Sequence, residues 1–295
     1  LRSKANAVIN LMGTAGGIII LGLGMVFATG SIENSLMSYT VFFSVVAGIM
    51  LVALIVFLAR VNEPLFVQQM QQESKKYHID EDDDAPSDGQ KRRLSPGERT
   101  SLLLILASVV FWFFGYNAVT SKYSVYASKV LNLDYNSTLM LANVAAIVAY
   151  LPVGFIASKI GRKKTILGGV VMLCAAFSVA SFLRENSPAL LMNCMFALAG
   201  VGWATINVNS FPMVVELSRG GDVGKYTGFY YTASMAAQTV TPYFSGLLMD
   251  RLGMTTLFPY AAVFVALAFV TMLFVRHGDS RPAPAGVVES LGAGD

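Results

Sequence analysis

The chain has 295 residues, of which 55% are hydrophobic and 13% charged, with a mean hydropathy of +0.59. A soluble domain carries about 25% charged residues, so this composition excludes an ordinary water-soluble globule and points to lipid as the solvent. The net charge of +3 is too small to argue for a nucleic-acid partner, and no grouping of nucleophile and base, metal ligands or phosphate loop suggests an enzyme site, a metal or a cofactor.

Eight runs of about 20 residues with almost no charge follow one another, near 6–27, 37–59, 100–119, 138–157, 165–183, 188–215, 226–249 and 256–275. Each is long enough to cross a hydrocarbon core of about 30 Å, and each is too long and too uniformly apolar for a barrel strand. With no water to satisfy the backbone, each is predicted to be an α-helix, which gives an all-α membrane protein with eight transmembrane helices. Two spans fall in residues 1–60. Residues 61–99, including "NEPLFVQQMQQESKKYHIDEDDDAPSDGQKRR", lack apolar periodicity and read as a disordered cytoplasmic linker. Six spans then fill residues 100–275, and residues 276–295 read as a frayed cytoplasmic tail.

Lys and Arg orient the chain. With the N-terminus inside, 17 of the 21 cations fall in inner connections and 4 in outer ones, which places both ends of this chain in the cytoplasm of a multi-pass protein. Four of the inner cations, Lys159, Arg162, Lys163 and Lys164, crowd into six residues between the fourth and fifth spans. They suit anionic lipid or carboxylate partners at the inner face. Cys174 and Cys194 lie inside spans, where a thiol behaves as a small apolar group. His78 and His277 lie far apart in polar segments, so no metal site is expected.

Polar side chains in hydrocarbon are costly, and a stripe of them at helical spacing should face a cavity or another helix. In the seventh span Thr227, Tyr231, Ser234, Gln238, Thr241 and Ser245 form such a stripe, with Tyr230 beside it. The sixth offers Trp203, Asn207 and Ser210 on one face and Thr205, Asn209 and Glu216 on another. The third offers Ser108, Trp112, Tyr116, Asn117 and Tyr123, and the fourth Asn143 and Tyr150. Amides, hydroxyls and aromatic rings without fixed charge suit a neutral polyol, whose hydroxyls hydrogen-bond and whose apolar faces stack on rings. The predicted substrate-binding set is Gln238, Tyr231, Ser234, Asn207, Trp203, Asn143, Trp112, Tyr116 and Asn117. Pro152, Pro212, Pro242 and Pro259 mark expected kinks. No Asp or Glu lies deep in any of the eight spans.

At an offset of 221 residues, "KANAVINLMGTAGG" (4–17) lies over "KYTGFYYTASMAAQ" (225–238), pairing Lys4 with Lys225, Asn6 with Thr227, Asn10 with Tyr231 and Gly13 with Ser234. The first span thus matches the seventh, as the fifth helix matches the eleventh in a protein of two six-helix halves.

The inner loop, with Gly154, Ser158, Lys159, Gly161, Arg162, Lys163 and Lys164, resembles the G-x-x-x-D-R-x-G-R-K-K signature of the major facilitator superfamily, with Ser158 at the Asp position and Lys159 at the first Arg. "GLLMDRLG" (246–253) is a second, partial match on the outer side and reads as a glycine-terminated helix end. "GVGWATINVNSFPMVVELS", "GKYTGFYYTASMAAQTVTP" and "RSKANAVINLMG" are similar to the superfamily's sucrose and glycoside branch. The resemblance implies that the eight spans are helices 5–12 of a twelve-helix fold, N-terminally truncated, with 1–60 the last two helices of the first bundle and 100–275 the second. It implies a monomeric secondary transporter in the plasma membrane that takes up a neutral sugar or glycoside by proton symport through alternating access, with the signature loop as a gating latch. A drug or metabolite exporter of the same superfamily is the alternative, and a non-transporting membrane receptor or scaffold stands behind it.

Overall fold

The structure is a computed structural model that describes residues 2–29, 38–76, 94–218 and 223–279. The described residues form nine α-helices and no strand. In order these are α1 (Arg2–Val26), α2 (Thr40–Arg60), α3 (Glu63–Lys76), α4 (Pro96–Tyr126), α5 (Tyr135–Ile160), α6 (Arg162–Ala180), α7 (Ala189–Val215), α8 (Val223–Leu252) and α9 (Leu257–Leu273). The eight expected spans are α1, α2 and α4 to α9. Seven are long and apolar enough to cross a membrane. The other is α8, which has the length at 30 residues but carries the polar stripe.

Local chemistry explains the ends. Ser95 starts α4 with a capping box, its Oγ accepting from Glu98 N at 3.3 Å while Glu98 Oε2 accepts from Ser95 N at 2.9 Å, and Pro96 occupies the first turn, where no N–H is needed. Asp134 caps α5 through Asn136 N at 2.9 Å. Gly253 closes α8 at φ +98°, its N–H returning to Met249 O at 3.0 Å, which is the glycine-terminated end read from the sequence.

Four expectations need correction. The third span does not stop near residue 119: α4 runs to Tyr126 and on through a π turn at Ala127–Leu131. Asn117, Ser121 and Lys122 look like an end in sequence, but Tyr123, Tyr126 and Leu131 are buried and carry the helix onward. The linker of 61–99 contains α3, while its acidic run lies outside the described residues. The tail is not frayed throughout, because residues 276–279 dock on the bundle; residues 280–295 lie outside the described residues. Finally, Pro152, Pro212 and Pro242 sit inside helices, but Pro259 lies in the first turn of α9, where its missing N–H removes no helical bond.

α7 is the central post, packing on α5 and α6, while α4 packs on α9 and α8, and α6 on α9. α1 crosses to this bundle and lies along α5 and α7. α2 has no buried residue and meets α1 through the Phe27 and Phe42 rings, 5.6 Å apart.

Lipid offers no hydrophobic drive between helices, so close backbone approach must supply the attraction, and small residues permit it. Gly200 of α7 faces the Ala142 carbonyl of α5 so closely that a Cβ there would collide with it. Gly202 of α7 and Gly169 of α6 are reciprocal, since a Cβ on either would sit 2.8 Å from the other's carbonyl oxygen. Gly115 of α4 meets Ala261 O of α9 at the same 2.8 Å. These glycines fix three of the helix crossings. Gly200→Ala should therefore lower stability by about 1–3 kcal/mol, whereas Gly168→Ala, with nothing within 4 Å, should raise it by up to about 1 kcal/mol. Melting curves of both variants in detergent check the contrast.

Candidate functional site: an uncharged cavity and a basic clamp

A cavity of about 380 Å³ opens where α1 meets the bundle. Gly17, Ile20 and Leu21 of α1 form one wall. Tyr116, Val119 and Thr120 of α4, Leu139, Ala142 and Asn143 of α5, Phe177 of α6, and Phe196, Ala199 and Gly200 of α7 form the rest. No charged side chain lines it. Tyr116, Thr120 and Asn143 supply its polar side-chain groups, so the wall is mainly apolar with a few hydrogen-bonding points.

Of the predicted binding residues, Tyr116 and Asn143 line this cavity. Trp203 stands behind Tyr116, their rings stacked 3.7 Å apart and 2° from parallel, with Phe113 edge-on to Trp203 at 5.1 Å. Asn207 lies one turn along α7 and donates its amide to Trp203 O at 3.1 Å. Asn117 donates to Phe113 O at 2.9 Å, beside Tyr116 on α4. Phe211, a further turn along α7, meets Tyr231 of α8 at 5.9 Å, so a half-open aromatic and amide stripe runs from Tyr116 across α7 to α8.

The other residues fall elsewhere. Trp112 is 0% exposed and belongs to the bundle core, because the α4 face that holds it packs inward with Ile105, Val109 and Val119. Ser234 is also buried, and its hydroxyl bonds Tyr231 O at 3.2 Å. Thr241 and Ser245 share its fate, each bonded to its own helix. Half of the polar stripe on α8 is thus helix packing. Gln238 stands at the middle of α8, half-buried, with its Nε2 3.6 Å from Met235 Sδ of the same helix; no other described helix claims the amide. Phe177, Phe196 and Gly17 were not readable as cavity residues, since an apolar side chain or a glycine in an apolar span carries no periodic signal.

At the opposite end, the basic loop is tighter than expected. α5 and α6 are joined by Gly161 alone, at φ +95°, a conformation glycine adopts without strain. α6 therefore begins at Arg162, and the loop cations become helix-end groups. Arg162 Nη1 pairs with Glu216 Oε2 at 3.0 Å, at the end of α7. Asp279 Oδ1 accepts from Arg162 N at 2.6 Å and Lys163 N at 3.3 Å, an acidic cap on the N-terminus of α6. Lys163 Nζ donates to Leu273 O at 2.8 Å and Val275 O at 2.6 Å, a basic cap on the C-terminus of α9. Lys159 and Lys164 are exposed, Ser158 Oγ bonds Phe155 O at 2.7 Å, and Gly154 is buried in α5. Asp279 escaped sequence reasoning because it lies in a segment of tail composition, 117 residues along the chain from Arg162, whose helix it caps. Among the described residues no cluster of His, Cys, Asp or Glu could hold a metal ion.

A lattice of long apolar helices, a central glycine-packed post, an uncharged cavity at a seam between two helix groups and a basic clamp on one face together define a polytopic membrane protein. The profile of the Major Facilitator Superfamily matches residues 137–291, and the chain belongs to that family. Two proteins described as MFS-type transporter ppzB are similar to it. The one from Metarhizium rileyi (strain RCEF 4871) is 25% identical over 134 residues, covering 45% of this chain and 27% of that protein. The one from Metarhizium majus (strain ARSEF 297) is 28% identical over 134 residues, covering 45% and 29%. An uncharacterized protein, YqgE, of Bacillus subtilis (strain 168) is 28% identical over 151 residues, covering 48% and 34%. The matched part thus spans about a third or less of the length of these relatives.

The side chains of Arg162 and Glu216 are only 11% and 28% exposed, so their pairing should be measurable. Arg162→Gln and Glu216→Gln should each cost about 1–2 kcal/mol of stability, between the exposed and fully buried limits. The double variant should cost little more than either single one, which a thermal-denaturation double-mutant cycle reads directly.

Proposed function

We propose that the chain supplies eight helices, corresponding to helices 5–12, of a twelve-helix secondary transporter that carries an uncharged small molecule by alternating access. The observation that carries this reading is the uncharged cavity where α1 meets α4, α5, α6 and α7, because alternating access rocks two helix groups about a site at their seam. The repeat that pairs the first span with the seventh and the largely exposed surface of α2 both support a partner set of helices around α1 and α2.

The substrate class that best fits the wall is a glycoside: a sugar ring whose hydroxyls meet Tyr116, Thr120 and Asn143, joined to an apolar aglycone seated against Val119, Phe177 and Phe196. Trp203, Asn207, Asn117 and Tyr231 extend the polar and aromatic surface beside it, and Gln238 follows two turns along α8 from Tyr231. A carboxylate outside these eight spans would carry a symported proton, since none lies deep within them. The predominance of apolar residues in the wall favours a second reading, export of an uncharged aromatic metabolite. The basic clamp acts on gating, not on substrate choice, because Arg162 and Lys163 engage α7, α9 and the tail at the far end of the bundle.

Uptake of radiolabelled sucrose, an aryl glucoside and an uncharged aromatic amide by proteoliposomes of the complete twelve-helix protein that contains these eight helices tests the assignment. Saturable flux of the glucoside alone supports the glycoside reading. Flux of the amide alone supports the exporter. No flux of any of the three, with binding retained, would leave a receptor. Asn143→Ala and Gln238→Ala should each raise the apparent KM about tenfold or more without lowering the melting point, since one lost contact is worth about 1–3 kcal/mol. Arg162→Gln with Lys163→Gln should cut turnover and leave the substrate ranking unchanged.

A further inference from the structure

Among the described residues, α1 and the turn that follows it make polar contacts with the bundle at three depths. At its outer end Thr29 Oγ1 accepts from Tyr135 Oη at 3.2 Å and Asn136 Nδ2 at 3.3 Å. At its middle Thr14 Oγ1 and Tyr150 Oη lie 2.9 Å apart. At its inner end Asn6 Nδ2 donates to Asn207 O at 2.8 Å and Val208 O at 3.1 Å.

The inner contact differs in kind. Pro212 lies inside α7 and has no N–H, so the carbonyl four residues before it, that of Val208, loses its helical donor. An unbonded carbonyl in hydrocarbon is costly, and a neighbouring helix commonly re-satisfies it. Asn6 does so here. Its amide carries two N–H groups, enough for both carbonyls at once, and Asn10 Nδ2 fixes the turn by donating to Asn6 O at 2.8 Å. Next to it Ala7 is 1% exposed and packs with Tyr150, Ala204 and Val208, closing the inner part of the seam.

We propose that Asn6 is a positioning residue for transport: it clasps α1 to the proline-broken turn of α7 and holds the inner end of the seam shut. Release exposes Val208 O, which only the water entering an inward-open path can then satisfy, so the clasp couples opening to hydration of that path. The outer and middle contacts join side chains to side chains and free no backbone carbonyl when they part. This inference rests on the alternating-access reading above.

The test uses the complete twelve-helix protein, cleared of cysteine by Cys174→Ala, Cys194→Ala and the like elsewhere, with Ala7→Cys added and labelled from the inner face of inside-out vesicles with a membrane-impermeant maleimide. Asn6→Leu should speed labelling about 3- to 15-fold, the range of one interhelical hydrogen bond in a membrane. Pro212→Ala gives α7 its own donor for Val208 O, so in that background Asn6→Leu should change the rate less than about twofold. Asn6→Ala replaces Asn6→Leu if the latter does not fold. Equal acceleration with and without Pro212, or a lowered melting point with unchanged labelling, overturns the clasp. Failure of the transport reading shows differently: the aryl glucoside and the aromatic amide would leave labelling of the parent unaltered while the Asn6 and Pro212 effects remain non-additive.

Discussion

The backbone-to-backbone contacts of α7 are what the rest of the structure depends on. Between helices in lipid, apolar side chains gain nothing by leaving hydrocarbon, so cohesion must come from dispersion at close range. Gly200 brings α7 against α5 and Gly202 brings it against α6, with Gly169 answering from the other side. Gly115 does the same for α4 and α9. With these crossings set, the positions of Trp203 and Asn207 on α7, and of Tyr116 on α4, follow from helix geometry. The stacked pair of Trp203 and Tyr116 then spans the two halves of the bundle.

The same post organises the functional surfaces. One stretch of α7, from Phe196 to Gly200, lines the cavity; a second, around Pro212, offers an unbonded carbonyl to α1; the end, at Glu216, receives Arg162. α1 therefore meets the cavity through Gly17, Ile20 and Leu21 and the proline-broken turn of α7 through Asn6. The basic clamp ties neighbouring ends of α6, α7 and α9 together.

Corrections to the sequence reading share a physical origin. Serine and threonine hydroxyls on α8 satisfy themselves on their own helix, as Thr241 does on Ala237 O at 2.6 Å, so a polar stripe does not have to face a cavity. Trp112 and Trp203 are the same residue type in similar spans, yet one is core and the other lies beside the cavity, because only the crossing angles of α4, α7 and α9 decide which face of α4 turns inward. Asp279 and Asn6 act on partners 117 and about 200 residues away, beyond the reach of local pattern.

Apolar runs of twenty residues with cations at alternate ends determined by themselves that the chain is a helical membrane protein, how many spans it has, where glycines and prolines punctuate them and, through the Gly154 to Lys164 motif, the family. Those features are local, because a bilayer imposes its thickness and its demand for internal hydrogen bonds on each segment separately. Which side chains converge on a cavity, which cation finds a carboxylate and which amide repairs a proline break were decided only in the tertiary structure. They depend on the rotation of each helix about its axis, and that rotation is fixed by packing against partners far away in the chain.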